Sequence, residues 1–512
     1  RPALHPGGRT ARLIRPVLLR NAQPVPLGGA AATVEPVDVR ISGTQVTMIA
    51  GTLDPLPGEE VLEADGRWLV PGLWDAHVHL GQWARRRTRL DLSATAALGE
   101  AIARVAAAVG TLAPGTGLLV GGGYRPATWA EPPTVASLDA VTGALPVVLV
   151  SGDAHTGWLN SAALARFGLA ARDVPLVEAE WFAALPAILA AEDAQVGPGA
   201  YTEALNAAAA LGVVGIVDYE FEPGHLAWPR RYAAVGVPLR VRTSVYPADL
   251  QAAIAAGVRT GDALVSDHGE PMVTMGSLKI ISDGSLNTRT ASCRDPYPGG
   301  GHGVQNVPPA KLRDLLAIAR SNGLTVALHT IGDAAADAAL DAFGQTGARG
   351  TIEHAQLLGP GAVERMAALD LVASVQPAHL LDDRGVTEAV WGIERASRSF
   401  PLRELAAAGV ELAFGSDAPV ASLDPWLAMA SAVHRGAPGA EPWYPEHSLL
   451  PAQALAASTG GRDRVRIGGP ADLALLDADP LAGTDAGEAA ANLRRMRVAA
   501  TWVAGTLVHR TG

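Results

Sequence analysis

The chain has 512 residues, 48% of them apolar, enough for one large domain plus a smaller one around a sizeable core. Asp and Glu outnumber Lys and Arg by 51 to 40, a formal charge of −11, which speaks against a nucleic-acid or anionic-membrane partner and is read first as solubility. Cys293 is the only cysteine, so no intramolecular disulfide can form and a reducing cytoplasm is the expected compartment.

The first residues carry Arg1, Arg9, Arg12, Arg15 and Arg20 with no acid before Glu35, but no continuous apolar run follows, so an irregular tail is expected rather than a targeting segment. No stretch reaches the roughly eighteen apolar residues of a membrane span. From Arg15 to about Val70, short apolar segments broken by Gly and Pro (PVLLRNAQPVP, VDVRISGTQVTMIAG, VLEADGRWLV) predict β-strands. Residues 461–512 repeat that character in DLALLDADPL and VAATWVAGTLVHR, so both ends are expected to meet in one small β-sandwich.

The middle of the chain alternates short buried strands with Ala-rich helical stretches such as Ala94–Val109 and Pro309–Asn322, the pattern of an α/β fold with a parallel sheet. Eight strands are predicted, at 72–79, 213–220, 238–246, 272–283, 324–330, 350–354, 371–376 and 411–417, the number of a (β/α)8 barrel. The span between the first two far exceeds a βα connection of a few residues, which implies an inserted subdomain at about 81–210. The expected division is therefore 1–70 and 461–512 for the two parts of the sandwich and 71–460 for the barrel with its insertion. The insertion holds VGGGYRP, whose glycines match neither the dinucleotide nor the P-loop pattern, and HTGWLNSAAL. Cys293, in the loop ASCRDPYPGG, has no recognisable partner to activate it as a nucleophile.

The segment VPGLWDAHVHL, Val70–Leu80, places His77 and His79 two apart on a strand, so both imidazoles face the same way. Alone, such a pair is as often two ordinary histidines as a metal site. In a barrel, functional residues leave the C-terminal strand ends, and there strand five ends VALHTIGD with His329, strand six GTIEHAQ with His354, and strand eight LAFGSDAPV with Asp417. Four imidazoles and a carboxylate on one rim suit one or two divalent ions, Zn²⁺ first, with Mn²⁺, Fe²⁺ or Ni²⁺ also compatible.

Only Lys279 and Lys311 are lysines in this arginine-rich chain, and Lys279 lies inside the apolar run MGSLKIIS. Burial lowers an amine's pKa and leaves a nucleophile able to capture CO₂ as a carbamate bridging two metals; the simpler alternative is an ion pair with an acid such as Asp283.

The segments PGLWDAHVHL, GDAHTGWLNSAAL, LKIISDGSLNTRTA, ALHTIGD, IEHAQ, SVQPAHL, FGSDAPV and PADLALLDADP together resemble the amidohydrolase superfamily, in the branch of the N-substituted formamide deformylases. The resemblance implies a distorted TIM barrel with a β-sandwich from both termini. The chain departs from it in the short GGRDRVRIGGPADL, which touches no expected ligand.

A divalent metal lowers the pKa of water towards about 7 and polarises a carbonyl, which favours hydrolysis. His77, His79 and Asp417 are expected on a first ion and His329 and His354 on a second, with Lys279 between them; with one ion, a histidine such as His354 would polarise the carbonyl. Asp417 is expected to take the water proton and hand it to the leaving nitrogen. Pocket walls are expected from Trp83, Tyr124, Trp129, His155, Trp158, Arg289, Tyr297, His379 and Trp391, with the insertion as a substrate-selecting lid. The activity expected is hydrolysis of a non-peptide carbon–nitrogen bond in an amide or formamide. A deaminase or decarboxylase on the same scaffold, or an inactive scaffold protein, are the alternatives, and a homodimer is an expected assembly.

Overall fold

The computed structural model describes residues 15–27, 35–112, 117–126, 129–152, 156–286 and 288–511. They fall into two units, Arg1–Leu80 with Ala204–Gly512, and Gly81–Glu203.

The first unit begins with β1 (Val17–Pro24), β2 (Val37–Ser42), β3 (Gln45–Ala50), β4 (Glu60–Glu63) and β5 (Trp68–Pro71). The first half of β1 pairs with β2 and β4, and after a shift in register Ala22 still faces Val37 of β2 while the last two residues pair with β5. One strand thus belongs to both layers. β5 in turn pairs with β20 (Leu473–Leu476), which continues into β21 (Val498–Val503) and β22 (Thr506–Arg510). Leu19, Val39, Ile41 and Leu69 from one end of the chain share a core with Leu473, Leu475 and Trp502 from the other, as expected of a sandwich built from both termini.

Eight strands then form a parallel barrel among the described residues: β6 (Leu73–Val78), β12 (Val213–Asp218), β13 (Arg240–Val245), β15 (Glu270–Ile281), β16 (Val326–Thr330), β17 (Gly350–His354), β18 (Val372–Val375) and β19 (Leu412–Phe414). They neighbour one another in chain order; β14 (Ala263–Asp267) adds antiparallel to β15. Closure between β19 and β6 is made by a bridge from Val78 to Ala418 and by two backbone bonds, Asp417 N–H to the His77 carbonyl at 2.7 Å and His79 N–H to the Ala418 carbonyl at 2.9 Å. Strands such as VVGIVD and VASV are mainly apolar, with Asp218 and Ser374 themselves buried, because both of their faces are covered. The helix Pro309–Ser321 buries Leu312, Leu315, Leu316 and Ala319, the one-sided stripe of a helix lying on a sheet.

Each expected barrel strand is present. The eighth ends at Phe414 rather than at 417, because Asp417 has left-handed backbone (φ 55°) and turns the chain out of the sheet. The helix expected over 94–109 runs from Leu98 to Thr111; Ala96 N–H is taken by the Glu100 carboxylate at 2.8 Å, which holds the preceding residues outside the helix.

The second unit has its own sheet, β7 (Leu90–Asp91), β8 (Leu119–Tyr124), β9 (Val147–Ser151), β10 (Thr156–Leu159) and β11 (Leu176–Val177), in the order β11-β10-β9-β8-β7. Two apolar clusters lie within this unit, one around Val148 and Trp181 and the other around Tyr124, Leu149 and Trp158.

Candidate metal centre

His77 and His79 leave the end of β6 on one side, as their spacing predicts. Their Nε2 atoms approach Asp417 Oδ1 to 3.6 and 3.3 Å. Asp417 reaches them because β19 lies directly beside β6, and its left-handed backbone turns the carboxylate inward. Asp75, buried two residues before His77, accepts from the His77 and Ser416 backbone N–H groups at 3.0 Å each, so one carboxylate pins both ligand-bearing loops.

His354 ends β17. Alternation along a strand would send Glu353 and His354 to opposite faces, but His354 (φ 71°) and Ala355 (φ 44°) are left-handed, and the His354 ring turns back to lie 5.1 Å from the His77 ring and 4.4 Å from that of His329. Among the described residues, two groups have ligand atoms within 4.8 Å of one another: His77, His79 and Asp417; and His354, His379 and Asp417. Asp417 belongs to both.

His379 is therefore placed differently from the expected pocket wall: the short turn Pro377–His379 after β18 brings it to ligand distance of His354 and Asp417. His329, expected on the second ion, stands beside His354 but outside both groups, with its Nε2 3.2 Å from the Gly284 carbonyl. Asp283, the acid considered as a partner for Lys279, instead accepts from the backbone N–H groups of Ser292, Ile331 and Gly332 at 2.9–3.1 Å.

Lys279 is 2% exposed in β15, and its Nζ makes no hydrogen bond among the described residues. It lies 4.4 Å from the centre of the Tyr219 ring. Burial lowers its pKa, against the opposing charges of Glu353 and Asp417.

Glu353 was not singled out among the candidate residues, although it lies within the segment IEHAQ. It is fully buried and accepts from His77 Nδ1 at 2.6 Å, from the Tyr219 hydroxyl at 3.2 Å and from the Thr351 hydroxyl. An acid inside the apolar strand GTIEH carries the same signal as Lys279 inside β15, and that criterion finds it. Burial opposes its charge, yet Lys279 and His77 hold its carboxyl down at about 2. The hydrogen-bond pattern places the His77 proton on Nδ1 and leaves Nε2 free as a ligand.

Burial also lowers His77, pushes His329 down to about 3 and takes His354 well below the usual imidazole range, assisted at His77 and His329 by the charge of Lys279. Neutral imidazoles are the form a metal binds. A buried His79 Nδ1 and Lys279 Nζ with no hydrogen bond among the described residues, and a carboxylate shared by two histidine pairs, fit a divalent cation.

The sequence of an amidohydrolase-family model matches residues 60–509. The chain belongs to the amidohydrolase family. Among relatives, this amidohydrolase is 29% identical over 453 residues to Protein LONG AFTER FAR-RED 3 of Arabidopsis thaliana, covering 80% of this chain and 76% of that one. It is 26% identical over 538 residues to an N-substituted formamide deformylase of Arthrobacter pascens, covering 94% and 98%. Among solved structures, an uncharacterized metal-dependent hydrolase from Pyrococcus horikoshii OT3 superposes with a TM-score of 0.75 at 25% identity, covering 92% of this chain and 99% of that one.

The remaining expected pocket residues divide by position. Trp158 is fully buried in the insertion, packed on Tyr124 and Trp129 with its Nε1 donating to the Thr134 carbonyl at 2.7 Å, so it is a core side chain and not a pocket wall. Tyr297 and Trp391 likewise pack with Leu286 and Cys293 inside an apolar cluster. Trp83 is half-buried under the Arg87 guanidinium, and Arg289 is exposed with left-handed backbone. His155 lies outside the described residues. An aromatic wall does stand at the centre itself: Phe221, 60% exposed, stacks on the His79 ring at 5.3 Å and lies 5.0 Å from Tyr246. Both follow strand ends, β12 and β13, and neither was among the pocket residues expected from the sequence.

Proposed function

We propose that this metal-dependent amidohydrolase cleaves a non-peptide carbon–nitrogen bond, an amide or formamide, in a small apolar substrate. The observation that carries the reading is the convergence of two histidine pairs on the single carboxylate of Asp417 at one end of the barrel. His77, His79 and Asp417 would hold one cation, and His354 with Asp417 and either His379 or His329 a second; each of the last two has Nε2 beside a backbone carbonyl, Ser416 at 3.3 Å for His379 and Gly284 at 3.2 Å for His329. A divalent ion, zinc first by its donor set, supplies an acidified water and a polarised carbonyl.

Asp417 takes the proton of the attacking water on its carboxylate and delivers it to the leaving nitrogen. Glu353 keeps the His77 ring in register through Nδ1. The exposed ring of Phe221 offers an apolar surface beside His79, which suits the hydrocarbon part of a substrate. A formamide is favoured among amides by the relative from Arthrobacter pascens, which aligns along nearly its whole length and is named for that reaction. Lys279, buried and with no hydrogen bond to Nζ among the described residues, is the residue we assign to carbamate formation: its neutral amine would attack CO₂ and lose a proton, and the resulting anion would be available as a ligand to a divalent ion.

Metal quantitation on protein purified without chelator, followed by a panel of N-substituted amides and N-substituted formamides with detection of the released amine, the carboxylic acid and ammonia, tests the reading. About one to two equivalents of a divalent metal and turnover of an amide or formamide without free ammonia are expected. Substoichiometric metal that added Zn²⁺ or Mn²⁺ does not restore, with activity intact, overturns the metal assignment; ammonia as product overturns the bond assignment in favour of deamination.

A further inference from the structure

The two histidines that leave β6 are held unequally. His77 Nδ1 is bonded to Glu353, whereas His79 Nδ1, although buried, makes no hydrogen bond among the described residues. A metal-ligating imidazole ordinarily has its second nitrogen bonded to a carboxylate, a carbonyl or water, which fixes the rotation of the ring. His79 lacks that support at Nδ1, and what meets its face is another ring. The centre of Phe221 lies 5.3 Å from that of His79, with the two planes 17° from parallel.

Strand register puts the ring there. β12 runs parallel beside β6, and Tyr219 N–H donates to the Val78 carbonyl at 2.8 Å, so Tyr219 and Phe221, two apart, come beside His77 and His79, also two apart. Tyr219 meets His77 edge-on with centres 4.6 Å apart, and Phe221 meets His79 face-on. The buried Asp218 sets the spacing. One of its oxygens accepts from Leu80 N–H at 3.0 Å and from Glu220 N–H at 3.2 Å, the residue after His79 and the residue before Phe221. Tyr246, 5.0 Å from Phe221, is itself fixed by donating its hydroxyl to the Tyr219 carbonyl at 2.7 Å. Burial does not explain the position of Phe221, since 60% of it stays exposed.

We propose that Phe221 is a positioning residue of the metal centre: its ring holds the His79 imidazole in the plane that directs Nε2 towards Asp417, the part that Glu353 plays for His77 through a hydrogen bond. The inference rests on the reading of His79 as a metal ligand. Parallel offset rings attract, and an imidazole that has given electron density to a cation attracts the electron-rich face of a phenyl ring more strongly than a free one does, so the stack favours the metal-bound state. Leucine would cover the same spot with apolar atoms but has neither a plane nor a π-face.

The test is chelator competition for Zn²⁺ on the metal-loaded protein and on Phe221→Leu, Phe221→Tyr and His79→Ala, with thermal unfolding of each metal-free form alongside. Phe221→Leu is expected to weaken zinc binding by about three- to tenfold at unchanged Tm, because an exposed ring contributes little to folding. Phe221→Tyr, which keeps a ring against His79, should stay within about twofold of the unaltered protein, and His79→Ala should lose about tenfold or more. Unchanged affinity in Phe221→Leu beside a weakened His79→Ala overturns the inference, leaving the metal assignment intact and Phe221 as a substrate surface only. Unchanged affinity in His79→Ala removes His79 from the centre and the inference with it. Equal losses in the leucine and tyrosine variants trace the effect to the loop instead of the ring, and also overturn it. Phe221→Ala is read in the same way if the leucine variant does not fold.

Discussion

Lys279 and Glu353 are an uncommon pair to find inside a barrel, since each is a charged group that burial penalises by several kcal/mol unless it is compensated. Glu353 is compensated by three donors, whereas Lys279 Nζ has no acceptor among the described residues. An ammonium kept only as a counter-charge would be expected to make a direct hydrogen bond to the acid, and its absence favours a further chemical role. Lys279→Ala is therefore expected to lose metal and activity together, with short carboxylic acids in solution restoring part of both. Full metal occupancy and good activity in Lys279→Ala would reduce the lysine to an electrostatic neighbour. Glu353→Gln tests the other member. The amide keeps the volume but no longer fixes the His77 tautomer, and removing such an orienting partner costs about 10–100-fold in metal affinity. Chelator competition measures this without reference to turnover; an unchanged affinity would show that Asp75 and the backbone alone hold His77.

Among elements, the seam between β19 and β6 decides whether the ligands meet. Gly415 sits there with no room for a side chain: a Cβ would lie 2.6 Å from both the backbone N and the Cβ of His77. Those atoms belong to the strand that carries the metal ligands and cannot swing aside as a long side chain would. Gly415→Ala is expected to cost about 1–3 kcal/mol, the range for an overpacked interior, and to lower metal content by displacing His77. Gly344, inside the helix Asp333–Thr346, is the matched control: its nearest neighbour to a new Cβ is Leu369 Cδ2 at 3.8 Å, and alanine there should gain about 0.5–1 kcal/mol. Urea unfolding of the two variants with metal analysis reads both effects, and wild-type stability and metal in Gly415→Ala would mean the seam tolerates separation.

For the molecule as a whole, periodicity and strand order were legible in the sequence: eight largely apolar runs, four of them ending in His77 with His79, His329, His354 and Asp417, with matching β-rich ends, specify a barrel and a terminal sandwich because strands covered on both faces are mainly apolar. The identity of Lys279 as an exceptional residue was equally readable, since an amine in the middle of such a run has no solvent to reach. What tertiary structure alone decided is which of these groups share an atom's neighbourhood. Left-handed backbone at His354 and Asp417 overrides the alternation of a strand, so the partners of each ring depend on dihedral angles that neighbouring strands impose. It moved His379 from an expected pocket wall to ligand distance of Asp417, tied His329 to the Gly284 carbonyl, and gave His77 a carboxylate 276 residues away along the chain. Trp158 shows the same limit in the opposite sense: a large amphipathic ring suits a pocket or a core equally well, and only the packing of Tyr124 and Trp129 around it makes it a core residue.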